Sequence, residues 1–126
     1  MLSLPAGAQV YLCASPVDLR KSFDGLCAAV ELVFQRDVFD GHLFLFLNQR
    51  RDRLKALWWD DGGLVIFYKR LERGCFELPR DVDQRGHLTL DATALAMLLG
   101  GVPLSTPRRP RYVRPKATTT TAGHGA

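Results

Sequence analysis

The centre of the chain, residues 42–71, contains three consecutive β-strand patterns separated by two short polar turns. The first, H-L-F-L-F-L at 42–47, is apolar on both faces, which predicts a central strand covered on both sides. The second, R-L-K-A-L-W-W at 53–59, and the third, L-V-I-F-Y-K-R-L at 64–71, flank a D-D-G-G turn whose glycines supply the positive φ of a tight hairpin. An antiparallel meander of this kind has to bury its apolar side chains against further elements.

Further elements are predicted on both sides of the meander. They are a strand at 9–13, an amphipathic helix that ends near Gln35, a short strand at 75–78, and a last helix that is N-capped by Asp91 and stopped at Gly100. Asp18 is the first candidate for the N-cap of the first helix, and Ser22 is the second. Residues 80–87 are polar and are predicted to be irregular. The order β-α-β-β-β-β-α predicts an α+β fold, a small antiparallel β-meander sheet packed with two helices.

The central hairpin can close in two ways. A two-residue loop at Asp61-Gly62 places Lys55 opposite Tyr68 and Arg53 opposite Arg70, whereas a loop at 62–63 shifts these pairs by two. Side chains alternate between the faces of a sheet, so both registers keep the same residues on each face. The hairpin is therefore expected to carry basic side chains together at one end of one face.

The charge of the chain is unevenly distributed. The 126 residues carry a formal net charge of +4, but residues 1–107 sum to −1 and residues 108–126 to +5. A tail rich in arginine, proline and threonine cannot bury enough apolar surface to fold. We therefore expect one α+β domain at 1–104 and a disordered basic Pro/Thr-rich tail at 105–126. This tail either tracks a phosphate backbone or serves only solubility.

Composition also bears on the compartment. No apolar run approaches the ~20 residues that span a bilayer, and the first residues lack the pattern of a signal peptide, so a soluble cytoplasmic protein without membrane contact is expected. Three cysteines, Cys13, Cys27 and Cys75, fit neither a disulfide framework nor a zinc pattern. All three are predicted to be small buried side chains.

Three segments resemble one known family. They are P-V-D-L-R-K-S-F-D-G-L at 16–26, G-H-L-F-L-F-L-N-Q-R-R-D-R-L-K-A-L-W-W-D at 41–60 and G-L-V-I-F-Y-K-R-L-E-R-G-C-F at 63–76. They resemble the small accessory protein, often called TnpB, of insertion-sequence-66 elements, which is distinct from the RNA-guided nuclease of that name. The resemblance implies a role in DNA transposition beside an element-encoded transposase and a second small accessory protein. It implies no catalytic activity, cofactor or small-molecule substrate.

Two candidate sites follow from the residues. A nucleic-acid site would join basic side chains to two aromatic residues able to stack on bases. Its members are Arg50, Arg51, Arg53, Lys55, Lys69, Arg70, Arg73, Trp59 and Tyr68. A partner-binding site would lie at the start of the first helix, where cations in the first turn oppose the helix dipole. Its members are Asp18, Arg20, Lys21, Phe23 and Asp24.

These two sites correspond to two functions. In the first, the protein contacts DNA, the transposase or both. In the second, it is a pure protein–protein adaptor without nucleic-acid contact. An enzyme is not expected, because Asp60 and Asp61 are adjacent on a turn and diverge, and no histidine or serine lies in a catalytic or metal-binding pattern.

Overall fold

A computed structural model describes residues 7–78 and 87–100. Its strands are β1 (Val10–Cys13), β2 (Leu43–Leu47), β3 (Arg53–Asp60), β4 (Gly63–Arg70) and β5 (His87–Leu90). Its α-helices are α1 (Phe23–Ala29), continued by a π-helical turn at Val30–Phe34, and α2 (Ala92–Leu99), and a 3₁₀ turn spans Val38–Asp40. The predicted tail at 105–126 lies outside the described residues.

The five strands form one sheet in the order β4-β3-β2-β1-β5. The segment β2-β3-β4 is the predicted antiparallel meander, and β5 pairs antiparallel with β1. Strands β1 and β2 pair in parallel, with Tyr11 opposite Phe44. A parallel pair requires a crossover connection, and the segment 14–42 with α1 provides it. The predicted α+β class is confirmed, with one parallel pair in a mostly antiparallel sheet.

The central hairpin closes with the two-residue loop Asp61-Gly62. Both loop residues have positive φ, 35° and 99°, which is the conformation of the tight turn that matches strand twist. Asp60 pairs with Gly63, and the ladder continues without a break to Arg53 opposite Arg70. The first of the two predicted registers is therefore confirmed.

The sheet is covered on both faces, and its central strand explains why. All five residues of β2 are buried, and they alternate between two apolar clusters. Phe44 and Phe46 belong to the α1 face, where Leu26 and Phe34 pack. Leu43, Leu45 and Leu47 belong to the α2 face, where Leu98 and Phe76 pack. The predicted central strand with two buried faces is confirmed.

Two predictions about the end of the sheet were wrong. Residues 75–78 do not form a strand; this segment crosses the α2 face and inserts Phe76, which is 1% exposed. The fifth strand is instead 87–90, whose first residue belongs to the segment predicted to be irregular. A run of four residues, of which only Leu90 is buried, gives a weak strand pattern, and this segment becomes a strand because β1 offers it an open edge.

The start of the first helix also differs from its prediction. The helix begins at Phe23, so Arg20 and Lys21 precede it and are not in its first turn. Ser22 takes the N-cap position without a side-chain hydrogen bond, and Asp18 binds Arg20 instead of capping the helix. The helix ends at Gln35, as predicted, and Asp91 caps α2 by accepting from the amide of Ala94 at 2.7 Å.

The cysteines lie in three different environments. Cys13 is buried and burial raises the pKa of its thiol, while Cys27 is half-buried with a thiol pKa raised by the same cause. Cys75 is exposed, because the side chain that the 75–78 segment buries is its neighbour Phe76. The prediction that all three are buried was therefore wrong for Cys75. No helix within residues 7–78 and 87–100 is long and apolar enough to cross a membrane.

Candidate nucleic-acid interface

The turn between β2 and β3 presents two arginines on a hydrogen-bonded scaffold. The Asn48 side chain donates to the Asp52 carboxylate at 2.7 Å and accepts from the amide of Arg53 at 3.0 Å. The hydrogen bond from Asn48 lowers the pKa of Asp52. Arg51 adopts a left-handed φ of 60°, and its carbonyl accepts from the amide of Phe76 at 2.7 Å. Arg50 and Arg51 are thus exposed on a turn whose backbone is held from both sides.

The loop that follows β1 lies beside this turn, because the parallel strands β1 and β2 both finish at the same end of the sheet. The amide of Val17 donates to the carbonyl of Leu47 at 2.9 Å and joins the two segments. In this loop the Arg20 guanidinium binds Asp18 through both carboxylate oxygens, the shorter contact being 2.7 Å. That contact holds the pKa of the Asp18 carboxyl well below its usual range.

Two adjoining hollows form a groove between these segments. The first, about 390 Å³, is lined by Pro16, Val17, Asp18, Leu19, Asn48, Gln49 and Arg50. The second, about 240 Å³, is lined by Asp18, Leu19, Arg20, Asn48, Arg50, Asp52, Arg53 and Tyr68. Together they form a continuous groove, because Asp18, Leu19, Asn48 and Arg50 line both. Members of the two predicted sites, Arg50 and Arg53 from one and Asp18 and Arg20 from the other, therefore line the same groove.

Charge is distributed unequally between the two ends of the sheet. The segments 14–22, 48–53 and 70–78 meet at one end, which we call the basic end. It carries seven basic and four acidic side chains: Arg20, Lys21, Arg50, Arg51, Arg53, Arg70 and Arg73, with Asp18, Asp52, Glu72 and Glu77.

The opposite end, which we call the acidic end, comprises residues 35–42, 60–63 and 91. Its charged side chains are Arg36, Asp37, Asp40, Asp60, Asp61 and Asp91. The sheet therefore has a positive end and a negative end, a polarity that a single net charge conceals.

Three of the predicted nucleic-acid arginines lie at the basic end beside the strands and the segment after β4. Arg53 donates to the Tyr68 hydroxyl at 3.2 Å, and Tyr68 is 49% exposed. Arg70 forms an exposed ion pair with Glu72 at 3.0 Å. Arg73 lies in the segment that follows β4 and is exposed. Together with Arg50 and Arg51, these side chains are the part of the predicted set that the fold brings together.

Lys55 lies on the same face but is buried, with 9% of its surface exposed. Its Nζ donates to the carbonyl of Lys21 at 2.9 Å and lies 4.8 Å from the centre of the Tyr68 ring. The ammonium thus joins the segment before α1 to the β3–β4 hairpin. Its charge is engaged inside the protein and does not face the groove, contrary to the prediction from the sequence.

Two other members of the predicted set lie away from the basic end. Lys69 is on the α2 face, where its Nζ donates to the carbonyl of Leu99 at 2.7 Å. Trp59 is next to the acidic end and contacts Phe39 edge to face at a centroid distance of 4.9 Å. Six residues of extended strand separate Trp59 from Arg53, which corresponds to roughly 20 Å.

The predicted partner-binding residues remain together in the structure. Phe23 is 42% exposed at the start of α1, and Asp24 follows it. The side chain of Lys21 lies over Gly25, where an added Cβ would approach within 3.0 Å. This close contact explains why α1 tolerates a glycine at this position.

The groove itself was not foreseen from the sequence, and neither was the contribution of Pro16, Leu19 and Asn48 to its walls. The signal that can reveal the groove is the parallel pairing of β1 and β2, which brings segments about 30 residues apart to the same end of the sheet. In the described residues, no group of three or more His, Cys, Asp or Glu side chains is placed to hold a metal ion.

Comparison with known proteins identifies the family of this chain. The family described as "IS66 Orf2 like protein" matches residues 8–109. Two relatives from Sinorhizobium fredii are similar over most of their length. "Uncharacterized protein y4jC" is 30% identical over 91% of this chain and 97% of its own. "Uncharacterized protein y4hO" is 33% identical over 79% of this chain and 86% of its own. No solved structure matches. The chain therefore belongs to the IS66 Orf2-like family of insertion-sequence accessory proteins, which is not a known catalytic family.

Proposed function

We propose that this chain is a non-catalytic accessory protein that supports DNA transposition by contacting DNA phosphates through its basic end. The observation that carries the proposal is the β2–β3 turn, where Arg50 and Arg51 are exposed. The turn that carries both arginines does not have to become ordered on binding, because hydrogen bonds made by Asn48 and Phe76 already hold its backbone. A preorganised cationic turn loses less entropy when it meets a phosphate backbone.

The contact is electrostatic and largely independent of base sequence. Arginines that neutralise phosphates release counterions, and the affinity then falls steeply as salt rises. Tyr68 borders the groove and is half-exposed, so an unpaired base has one aromatic surface available beside Arg53. Base readout is not part of the proposal, since the described part of the basic end presents no helix or ribbon for the major groove.

The proposed partners are the element-encoded transposase and the second small accessory protein. Family membership supports association with the transposase. The alternative is a pure adaptor that binds these proteins without touching DNA. One observation favours it: Phe23, three residues after the groove residue Arg20, is 42% exposed, and the charge of Arg20 is already neutralised by Asp18. An apolar side chain beside a neutralised pair suits a protein surface better than a phosphate.

The direct test is fluorescence anisotropy of labelled duplex DNA from the element's terminus, titrated with protein at several salt concentrations. The double variant Arg50→Gln, Arg51→Gly removes two charges from the basic end. It is expected to reduce the slope of log affinity against log salt by about 0.9 for each phosphate that the variant no longer neutralises. The matched control is Arg36→Gln, which removes one charge at the acidic end. That variant should retain the slope of the natural protein.

Equal slopes for the natural protein and the double variant would contradict the DNA contact. The adaptor alternative is then tested by co-purification with the transposase after nuclease treatment. Phe23→Ser should abolish that co-purification if the α1 start is the docking surface, whereas the arginine double variant should not. A complex that forms only in the presence of terminal DNA supports the DNA contact instead. Deletion of residues 108–126 measures the separate contribution of the tail.

A further inference from the structure

Strand β4 is an edge of the sheet with one row of backbone groups left open. The ladder with β3 starts at the Asp60–Gly63 pair, and Leu71 still donates to the carbonyl of Asp52 at 2.8 Å. In an antiparallel ladder hydrogen-bonded and non-hydrogen-bonded pairs alternate. The amide and carbonyl groups of Leu64, Ile66, Tyr68 and Arg70 therefore point away from β3. No strand of the described chain pairs with that side of β4.

Over its first six residues, before Lys69 and Arg70, this edge lacks the features that usually prevent strands from pairing between molecules. Proteins protect edges with proline, bulges, short strands or charges. Residues 63–68 read G-L-V-I-F-Y, with no charge and no proline, and the eight pairs with β3 contain no bulge. Eight residues are a long edge by the standard of ordinary strands. The edge is therefore a ready template for a further strand.

The side chains beside the edge are also incompletely covered. Leu64 and Ile66 are partly buried against the α1-face cluster, and Tyr68 is 49% exposed. They share the α1 face with Trp59, which is likewise half-buried. A strand added to β4 would extend this face and cover these apolar side chains.

The polarity of the sheet selects the partner. Because β4 runs from the acidic end to the basic end, antiparallel pairing of two β4 strands brings the basic end of one molecule beside the acidic end of the other. A register with Ile66 opposite Ile66 of the other copy sets outward groups against outward groups. It places Lys69 and Arg70 of each chain opposite Gly63 and Gly62 of its partner, next to the Asp60-Asp61 turn. Parallel pairing would instead set like charges side by side.

We propose that a second copy of this chain pairs antiparallel with β4, giving a two-fold symmetric dimer with a continuous ten-stranded sheet. The interface is isologous, so the same residues of each copy meet. The dimer requires no DNA, and its test is independent of the proposed function. It is also expected to weaken as salt rises, because opposite charges flank the pairing strands.

The test uses proline at a position whose amide points outward. Tyr68→Pro removes a donor to the partner strand but none to β3, and prolines are tolerated at such edge positions. The matched control Tyr68→Ala removes the same side chain and keeps the amide. Sedimentation equilibrium should give twice the chain mass for the natural protein and for Tyr68→Ala. For Tyr68→Pro the dissociation constant should rise at least about tenfold, because symmetry removes two hydrogen bonds.

Hydrogen exchange of the natural protein gives a second readout that needs no variant. The outward amides of Leu64, Ile66, Tyr68 and Arg70 should be protected at high protein concentration and exchange rapidly on dilution. The inward amides of Val65 and Phe67 should stay protected throughout. A monomer at every concentration, or equal dissociation constants for the two Tyr68 variants, overturns the proposal. Protection of the outward amides only when the transposase is added would also overturn it, and would assign the edge to that partner.

Discussion

Replacing Lys55 with methionine tests whether this lysine serves the fold or the DNA contact. In the structure its ammonium donates to the Lys21 carbonyl at 2.9 Å and lies 4.8 Å from the centre of the Tyr68 ring, with 9% of the residue exposed. Methionine keeps most of the apolar stem and removes the charge. The variant therefore deletes the two polar contacts while leaving the packing nearly intact.

The expected loss of stability comes from three contributions. A hydrogen bond from a charged donor stabilises by about 1.5–3 kcal/mol, and here the lower end applies because Lys21 is exposed and water can replace the donor. The ammonium–ring contact with half-exposed Tyr68 adds about 0.5–1 kcal/mol. Relief from burying an ammonium offsets part of this sum. The free energy of unfolding should fall by about 1–2 kcal/mol.

Two measurements on the same variant separate the interpretations. Urea unfolding followed by tryptophan fluorescence gives the stability, and DNA anisotropy over a range of salt gives the number of phosphate contacts. Lys55→Met should lower stability and leave the salt slope unchanged. Arg50→Gln should leave stability unchanged and reduce the salt slope. A slope reduced by about 0.9 in Lys55→Met, with unaltered stability, would refute the structural role assigned to Lys55.

Three further predictions concern single residues. Phe76→Ala should cost about 3–5 kcal/mol in urea unfolding because it empties a buried site, whereas Phe39→Ala, at a residue 57% exposed, should cost less than about 1.5 kcal/mol. Arg51→Gly should leave the free energy of unfolding unchanged or raise it by up to about 1 kcal/mol, since glycine adopts the left-handed φ without strain. A marked loss of stability would contradict the assignment of backbone strain to Arg51. The pKa of Asp52 is lowered in the folded state, so the contribution of its carboxylate to stability is complete above the unfolded pKa of about 3.9 and is lost as pH falls through the lower folded value. In acid titration the stability of Asp52→Asn should therefore decline less steeply below about pH 4 than that of the natural protein. Equal declines would argue against a stabilising role for the ionised Asp52.

Local patterns in the sequence were sufficient for the meander. The run at 42–47, apolar on both faces, predicted a buried central strand. The D-D-G-G turn limited the hairpin to two registers, and the structure adopts the one that sets Lys55 opposite Tyr68. The N-cap of α2 at Asp91 was also predicted correctly from the sequence. These features depend on neighbours a few residues apart, such as turn conformation, alternation and capping. The chain encodes them without reference to the rest of the fold.

The candidate site was predicted only in part, for a reason that lies in burial. Arg50, Arg51, Arg53 and Arg70 appeared together because they flank one hairpin end. Whether a lysine on that hairpin faces solvent depends on what packs over it. The crossover segment covers Lys55, and the end of α2 engages Lys69 on the other face. Sequence spacing shows which face of a strand a residue lies on, but not which segment packs over that face.

By itself, the sequence determined the meander, the tight hairpin, the two helices and the family. Tertiary structure decided which distant segments meet. The parallel pairing of β1 with β2 brings residues 16–20 beside residues 48–50 and so forms the groove. It also decided that 87–90, and not 75–78, is the fifth strand, and that opposite charges collect at opposite ends of the sheet. These outcomes depend on long-range pairing, whose free energy comes from burial and hydrogen bonds between segments and is not written in any single one of them.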